Sequence, residues 1–139
     1  MSSEKPQFEM SRRIRFAETA ADGHAYFATY IRLMEETEYA FLRSRGLRVV
    51  LKDDRGIIGF PRLTARINVE QPAVFEQIVT TRLELKGSDG KQIEYHFELI
   101  SDELPVATGR FVVACCRFPE DKPPFAILTP DHILNALGC

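Results

Sequence analysis

Cysteine is scarce in this chain, with three residues in 139 and none in a CxxC pair. Cys115 and Cys116 are neighbours, so their Cα atoms lie about 3.8 Å apart, closer than the ~4.4 Å at which disulfides begin. Cys139 is the last residue, and His24, His96 and His132 are far apart in sequence, so no structural zinc site is expected. Cys115 and Cys116 read as reduced packing residues of a strand. Long apolar runs are also missing. None approaches the ~18 residues needed to cross a bilayer, and the polar opening MSSEKPQFEM lacks the apolar stretch of a secretory signal. An excess of one charge is missing as well. Eighteen Lys plus Arg face twenty Asp plus Glu for a formal net charge of −2, which argues against a chain built to grip nucleic acid or anionic lipid. There is no internal repeat or low-complexity tract. The expectation is a cytoplasmic protein with neither membrane nor nucleic acid as partner.

What is present fits one globular domain. The chain is 45% hydrophobic and 27% charged, and this length should bury roughly two-thirds of the unfolded surface. Residues 1–7 read as a flexible tail ahead of a single domain over 8–139. From Phe8 to Phe16 the apolar residues Phe8, Met10, Ile14 and Phe16 share one parity, a strand with one buried face that Arg12 interrupts. A helix follows from about Tyr26 to Arg45. Phe27, Tyr30, Ile31, Met34 and Phe41 recur at steps of three, four or seven, and Leu33, Thr37 and Ala40 widen the stripe over most of the circumference. Gly46 is placed to end the helix. Glu36 and Glu38 are expected on its solvated side, with Arg32 and Glu36 as an i,i+4 pair.

Residues 47–61 read as a loop with a possible short strand. Leu63, Ala65, Ile67 and Val69 then alternate with Arg62, Thr64, Arg66 and Asn68. Further strands run over Ile78 to Lys86, Lys91 to Ser101 and Val106 to Phe118. Turns are expected at Gly87-Ser88-Asp89-Gly90 and near Ser101-Asp102-Glu103. Pro130 to Leu137 could form a short terminal helix. A helix so apolar asks for a curved sheet wrapped around it, and the sheet's remaining edges ask for cover, often by a second copy.

The stretch RFAETAADGHAYFATYIRLMEETEYAFLRSRGL, Arg15 to Leu47, resembles the opening of the hotdog-fold acyl-CoA thioesterases of the 4-hydroxybenzoyl-CoA thioesterase-like group. The elements that carry the resemblance are Phe16, Glu18-Thr19, Gly23-His24, Tyr30, Glu35 and the Arg-Gly-Leu ending at Leu47. Asn68 to Glu76 resembles the family's Pro-containing link, and Leu104 to Phe111 its entry to the final strand. The resemblance implies an α+β hotdog fold, a curved antiparallel sheet around one long helix. It also implies a homodimer or homotetramer with active sites at the subunit interface. It further implies hydrolysis of acyl-CoA or acyl carrier protein thioesters, with no metal and no cofactor beyond the coenzyme A of the substrate.

Thioester hydrolysis needs an oxyanion donor and a group that attacks or activates water. By the resemblance, the donor is the backbone N–H of Phe27 at the helix N-terminus, with Gly23 letting the chain pass closely. The family's usual catalytic Asp falls at Ala20, which has no such chemistry. Asp22, two residues on, and His24 are the nearest replacements, and Glu35 matches a recurrent family acid. Tyr26, Phe27 and Tyr30 would line the acyl pocket. Arg62, Arg66, Arg82, Arg110 and Arg117 are candidates for the coenzyme A phosphates. Ala20, together with Phe27 where the family commonly has Asn or His, also favours a second reading, an acyl-thioester binder without turnover, and a dehydratase-like enzyme of the same fold is a third.

Overall fold

Strict alternation builds the centre of the fold. In a computed structural model describing residues 7–139, the elements in chain order are β1 (Phe8–Arg13), a 3-10 turn (Phe16–Glu18), α1 (Phe27–Ser44), β2 (Val50–Asp53), β3 (Gly56–Gly59), β4 (Arg62–Val69), β5 (Ile78–Ser88), β6 (Gln92–Ser101), β7 (Leu104–Ala114), β8 (Cys116–Phe118), β9 (Phe125–Ala126) and α2 (Asp131–Leu137). Five strands form an antiparallel sheet in the order β1-β5-β6-β7-β4. Its central strand β6 buries Ile93, Tyr95, Phe97 and Leu99 and turns Gln92, Glu94, His96 and Glu98 outward, as its period of two requires.

Helix α1 lies on that buried face. Thr29, Tyr30, Leu33, Met34, Thr37, Glu38, Phe41 and Leu42 are its buried residues. Phe8, Phe41, Tyr95, Phe97 and Phe111 form a continuous aromatic chain with ring centroids 6.1, 6.3, 6.2 and 5.1 Å apart. Phe8 is partly buried and the other four rings are fully buried, each of the four contributing on the order of 2 kcal/mol by loss of apolar surface. Where α1 crosses β7 there is no room for a side chain: a Cβ on Gly109 would collide with the Met34 thioether. One long helix is thus laid across one face of the antiparallel sheet.

Several boundaries differ from the sequence expectation. Of the expected tail, residues 1–6 lie outside the described residues, while Gln7 donates its N–H to Leu83 O at 3.1 Å and accepts Leu85 N–H at 3.1 Å. Strand β1 stops at Arg13, and Phe16, expected on its buried face, sits in the 3-10 turn at 76% exposure. Residues 47–61 contain a true hairpin, β2 and β3, which joins β8 and β9 in a second sheet. The single strand expected from Val106 to Phe118 starts at Leu104 and breaks at Cys115. There the chain leaves the large sheet for the small one, and Cys115 N–H and Ala114 N–H bond to Lys91 O and Pro61 O. The cysteines are unpaired, Cys115 and Cys116 buried and Cys139 exposed.

A bulge corrects the reading of β4. The register with β7 shifts between Arg62 and Thr64, so Arg62 turns to the helix side and Leu63, expected inside, is 55% exposed. The side chain of Arg62 donates to Glu38 Oε1 at 2.7 Å and lies over the Phe111 ring at 4.6 Å. Glu38, expected on the solvated side of α1, is therefore buried, at 1% exposure. Glu36 also has a different partner from the one expected: it binds Arg12, not Arg32.

Candidate active site

The N-terminus of α1 is built from three local features. The first is a tight hairpin, Thr19 to Ala25, closed by Ala20 N–H to His24 O (2.8 Å) and Gly23 N–H to Ala20 O (2.9 Å). Gly23 takes φ +84°, a left-handed value that an L side chain adopts only with strain. Its carbonyl accepts Phe75 N–H at 2.9 Å, and Ala25 N–H donates to Ala73 O at 2.9 Å. The hairpin is thereby pinned to the link between β4 and β5.

The second feature is the helix start itself. Its N-cap residue is Tyr26, which makes no side-chain capping bond, where Ser, Thr, Asp or Asn would stabilise the helix by about 1 kcal/mol. Tyr26 N–H donates to Glu18 O and Thr29 N–H to Tyr26 O, both at 2.9 Å. The N–H groups of Phe27 and Ala28 have no acceptor among the described residues. Two donors at the positive end of an 18-residue helix are thus left facing outward.

The third feature is the Asp22–His24 pair. Asp22 Oδ1 accepts His24 N–H at 3.0 Å, and Oδ2 lies 3.2 Å from His24 Nδ1. These contacts, the backbone one first, hold the Asp22 carboxyl below the usual range, so it is ionised at neutral pH. Both side chains are more than half exposed. The imidazole is held at Nδ1 by a carboxylate, and its Nε2 remains available.

Phe16, Tyr26, Phe27, Val74 and Phe75 expose apolar surface around this mouth, and the rings of Phe16 and Phe75 meet edge to face at 5.6 Å. Tyr30, assigned by resemblance to the acyl pocket, is 2% exposed, and its hydroxyl accepts Ala73 N–H at 3.0 Å. In the protomer it braces the link rather than facing solvent. Glu35 lies eight residues beyond Phe27, about 12 Å along the axis, and 3.3 Å from Arg62 Nη2. It does not join Asp22 and His24 within one protomer.

The five candidate arginines are mostly engaged. Arg62 pairs with Glu38, Arg82 with Glu9 and Glu98, Arg110 with Glu94, and Arg117 with Asp53. Arg66, on the outer face of β4 opposite Arg110, pairs with no acid among the described residues. No group of three or more His, Cys, Asp or Glu side chains suited to a metal occurs among the described residues, and no helix there is long and apolar enough to cross a membrane.

An ion cluster that no local sequence pattern announces in full lies behind the mouth. Arg12, on the inner face of β1, donates to Glu18 at 2.6 and 2.8 Å and to Glu36 at 2.7, 3.0 and 3.1 Å. The legible signal was Arg12 itself, a charge on the apolar parity of its strand. Hydrogen bonding to Arg12 lowers the Glu18 carboxyl against the opposing effect of burial.

A model of the thioesterase-like superfamily matches residues 14–137. A 1,4-dihydroxy-2-naphthoyl-CoA hydrolase of Synechococcus elongatus is 25% identical over 109 residues, covering 78% of this chain and 80% of the relative. The crystal structure of a 1,4-dihydroxy-2-naphthoyl-CoA thioesterase from Synechocystis aligns with a TM-score of 0.79 at 18% identity, covering 94% of this chain and 95% of that one. A hypothetical protein from Thermus thermophilus aligns with a TM-score of 0.81 at 24% identity, covering 95% and 98%. These likenesses establish the hotdog fold for the chain.

Proposed function

The chain belongs to the thioesterase-like superfamily, and from that premise we propose that it hydrolyses an acyl thioester of coenzyme A or an acyl carrier protein to the free acid and thiol. The observation that carries the reading is the uncapped start of α1, with Phe27 and Ala28 N–H unpaired beside an Asp22–His24 pair. The thioester oxygen accepts from Phe27 N–H, and its developing charge is stabilised by that donor and the helix dipole. His24 Nε2 takes a proton from water as the water oxygen attacks the acyl carbon. Asp22 holds Nδ1 and so keeps the imidazole in the tautomer that accepts at Nε2. Collapse of the tetrahedral intermediate breaks the carbon–sulfur bond, and the departing thiolate receives the proton from the imidazolium.

This chemistry invokes no cofactor beyond the coenzyme A that leaves as thiol. Tyr26 and Phe27 offer an apolar wall for the acyl group, and Arg66 is the arginine available to a coenzyme A phosphate. The unpaired outer edge of β4, with Leu63 and Ala65 exposed beside it, supports a homodimer joined there. Glu35 would then reach a neighbouring mouth only across the subunit boundary. The unpaired cysteines suit the reducing cytoplasm, where we place the enzyme.

Phe27→Pro isolates the central claim. Proline is tolerated at the first helical position and lacks only the N–H, and Tyr26 already has the extended backbone that a following proline requires (φ −64°, ψ 151°). With an acyl-CoA panel and thiol release as readout, Phe27→Pro should lower kcat by about 10²- to 10³-fold, while Phe27→Ala retains the donor. Equal turnover by the two variants defeats the assignment. Acyl-CoA binding without turnover by the wild-type chain selects the non-catalytic reading that Ala20 favours.

A further inference from the structure

We propose that Glu18 is the positioning residue for the oxyanion donor, clamped by Arg12, which is itself clamped by Glu36, so that the start of α1 is fixed to leave Phe27 N–H free. The inference rests on the role given to Phe27 above and adds the device that aims it. The three charged residues come from three elements: Arg12 from β1, Glu18 from the 3-10 turn and Glu36 from α1. Their five contacts span 2.6–3.1 Å, and the side chains of Arg12 and Glu18 are 14% and 6% exposed.

Burying Arg12 and Glu18, with Glu36 at their solvent edge at 37% exposure, is a poor route to stability, because desolvation of the charges offsets most of their attraction. An apolar trio would pack this corner of β1 at lower cost. What a forked guanidinium gripping two carboxylates adds is direction. The direction is transmitted by the main chain of Glu18. Its carboxylate accepts Arg15 N–H at 2.9 Å, which closes the 3-10 turn. Its carbonyl accepts two donors from the helix start, Tyr26 N–H at 2.9 Å and Thr29 Oγ1–H at 2.8 Å. With Thr29 N–H directed to Tyr26 O, the donors on either side of Phe27 and Ala28 are occupied. The clamp therefore selects which N–H groups are left for a ligand. If Glu18 shifts, the Tyr26 N–H loses its acceptor and the first turn of α1 re-forms in another register.

The test compares kcat and KM of Arg12→Lys and Glu18→Gln with those of wild type, per folded protein, on an acyl-CoA that wild type cleaves. Arg12→Lys keeps the charge and loses the planar fork, and Glu18→Gln keeps the shape and loses the charge. Each should lower kcat about 10- to 100-fold with KM within about twofold, as expected when a donor is displaced rather than removed. Thr29→Val, a milder cut in the same link, should lower kcat about 3- to 10-fold. Ile133→Val, in the distant α2, serves as a control for lost stability and should leave kcat unchanged. In 15N-labelled protein the amide signals of Phe27 and Ala28 should move in Arg12→Lys and Glu18→Gln and stay in place in the control. Unmoved amides, unchanged kcat, an effect confined to KM, or an equal fall in the control overturns the proposal. If wild type cleaves no thioester, the hydrolase reading is lost and the amide signals alone decide the clamp.

Discussion

Stability measured against pH for wild type and Glu38→Gln separates two opposing effects at one carboxyl. Glu38 is buried at 1% exposure between α1 and the sheet, 2.7 Å from Arg62 Nη2, with Glu35 as a second acid on the same arginine. Burial pushes its pKa up, the Arg62 charge opposes this, and the net result is about 7 against an ordinary 4.5. Below pH ~4.5 the folded and unfolded chains both hold the proton. Between ~4.5 and ~7 the unfolded chain has released it and the folded chain has not, so stability falls as pH rises. Above ~7 both are ionised and the full penalty applies. A shift of this size corresponds to about 3 kcal/mol, or roughly 10 °C in Tm for a domain of this length. Glu38→Gln keeps a neutral hydrogen-bonding group of the same shape beside Arg62 and does not titrate. Chemical denaturation of both proteins from pH 4.5 to 8 should show the wild type losing stability relative to the variant across that window. Carboxyls held low by their partners, such as Glu18 and Glu94, act with the opposite sign below pH ~4.5 and cancel in the difference. A pH-independent difference, or one that grows in favour of wild type above pH 7, would show that Arg62 outweighs burial and that Glu38 is ionised in the fold.

Further measurements probe the packing and the site. Gly109→Ala forces a methyl into the Met34 thioether and should cost about 1–3 kcal/mol in chemical denaturation; unchanged stability would mean that Met34 swings aside freely. His24→Ala should lower kcat by about 10²-fold or more, and Asp22→Asn by about tenfold, because the imidazole survives but is aimed less firmly. A larger loss from Asp22→Asn than from His24→Ala would instead make Asp22 the base. Leu63→Glu combined with Ala65→Glu should shift a dimer to monomer by light scattering and abolish turnover. A fully active wild-type monomer would remove β4 as the joining edge.

The architecture was legible wherever the pattern is local and repeated. The alternation of Ile93, Tyr95, Phe97 and Leu99 states which face of β6 is buried, and those residues match; along α1 the spacing finds Tyr30, Leu33, Met34, Thr37 and Phe41, while Phe27, expected in the same stripe, is exposed at the helix mouth. The resemblance around Gly23-His24 likewise led to the mouth of the helix. Tertiary structure decided what depends on a partner strand or a distant charge. The β4 bulge exists only in register with β7, and by turning Arg62 inward it makes Glu38 a buried acid. Arg12 on an apolar face looked like an interruption until Glu18 and Glu36, from two other elements, were brought within 2.6–3.1 Å of it. Periodicity is a property of neighbours along the chain, so sequence alone determined a helix in the lap of a bent sheet. Charge pairing and register are properties of neighbours in space, and only the folded chain specified which donors stay free.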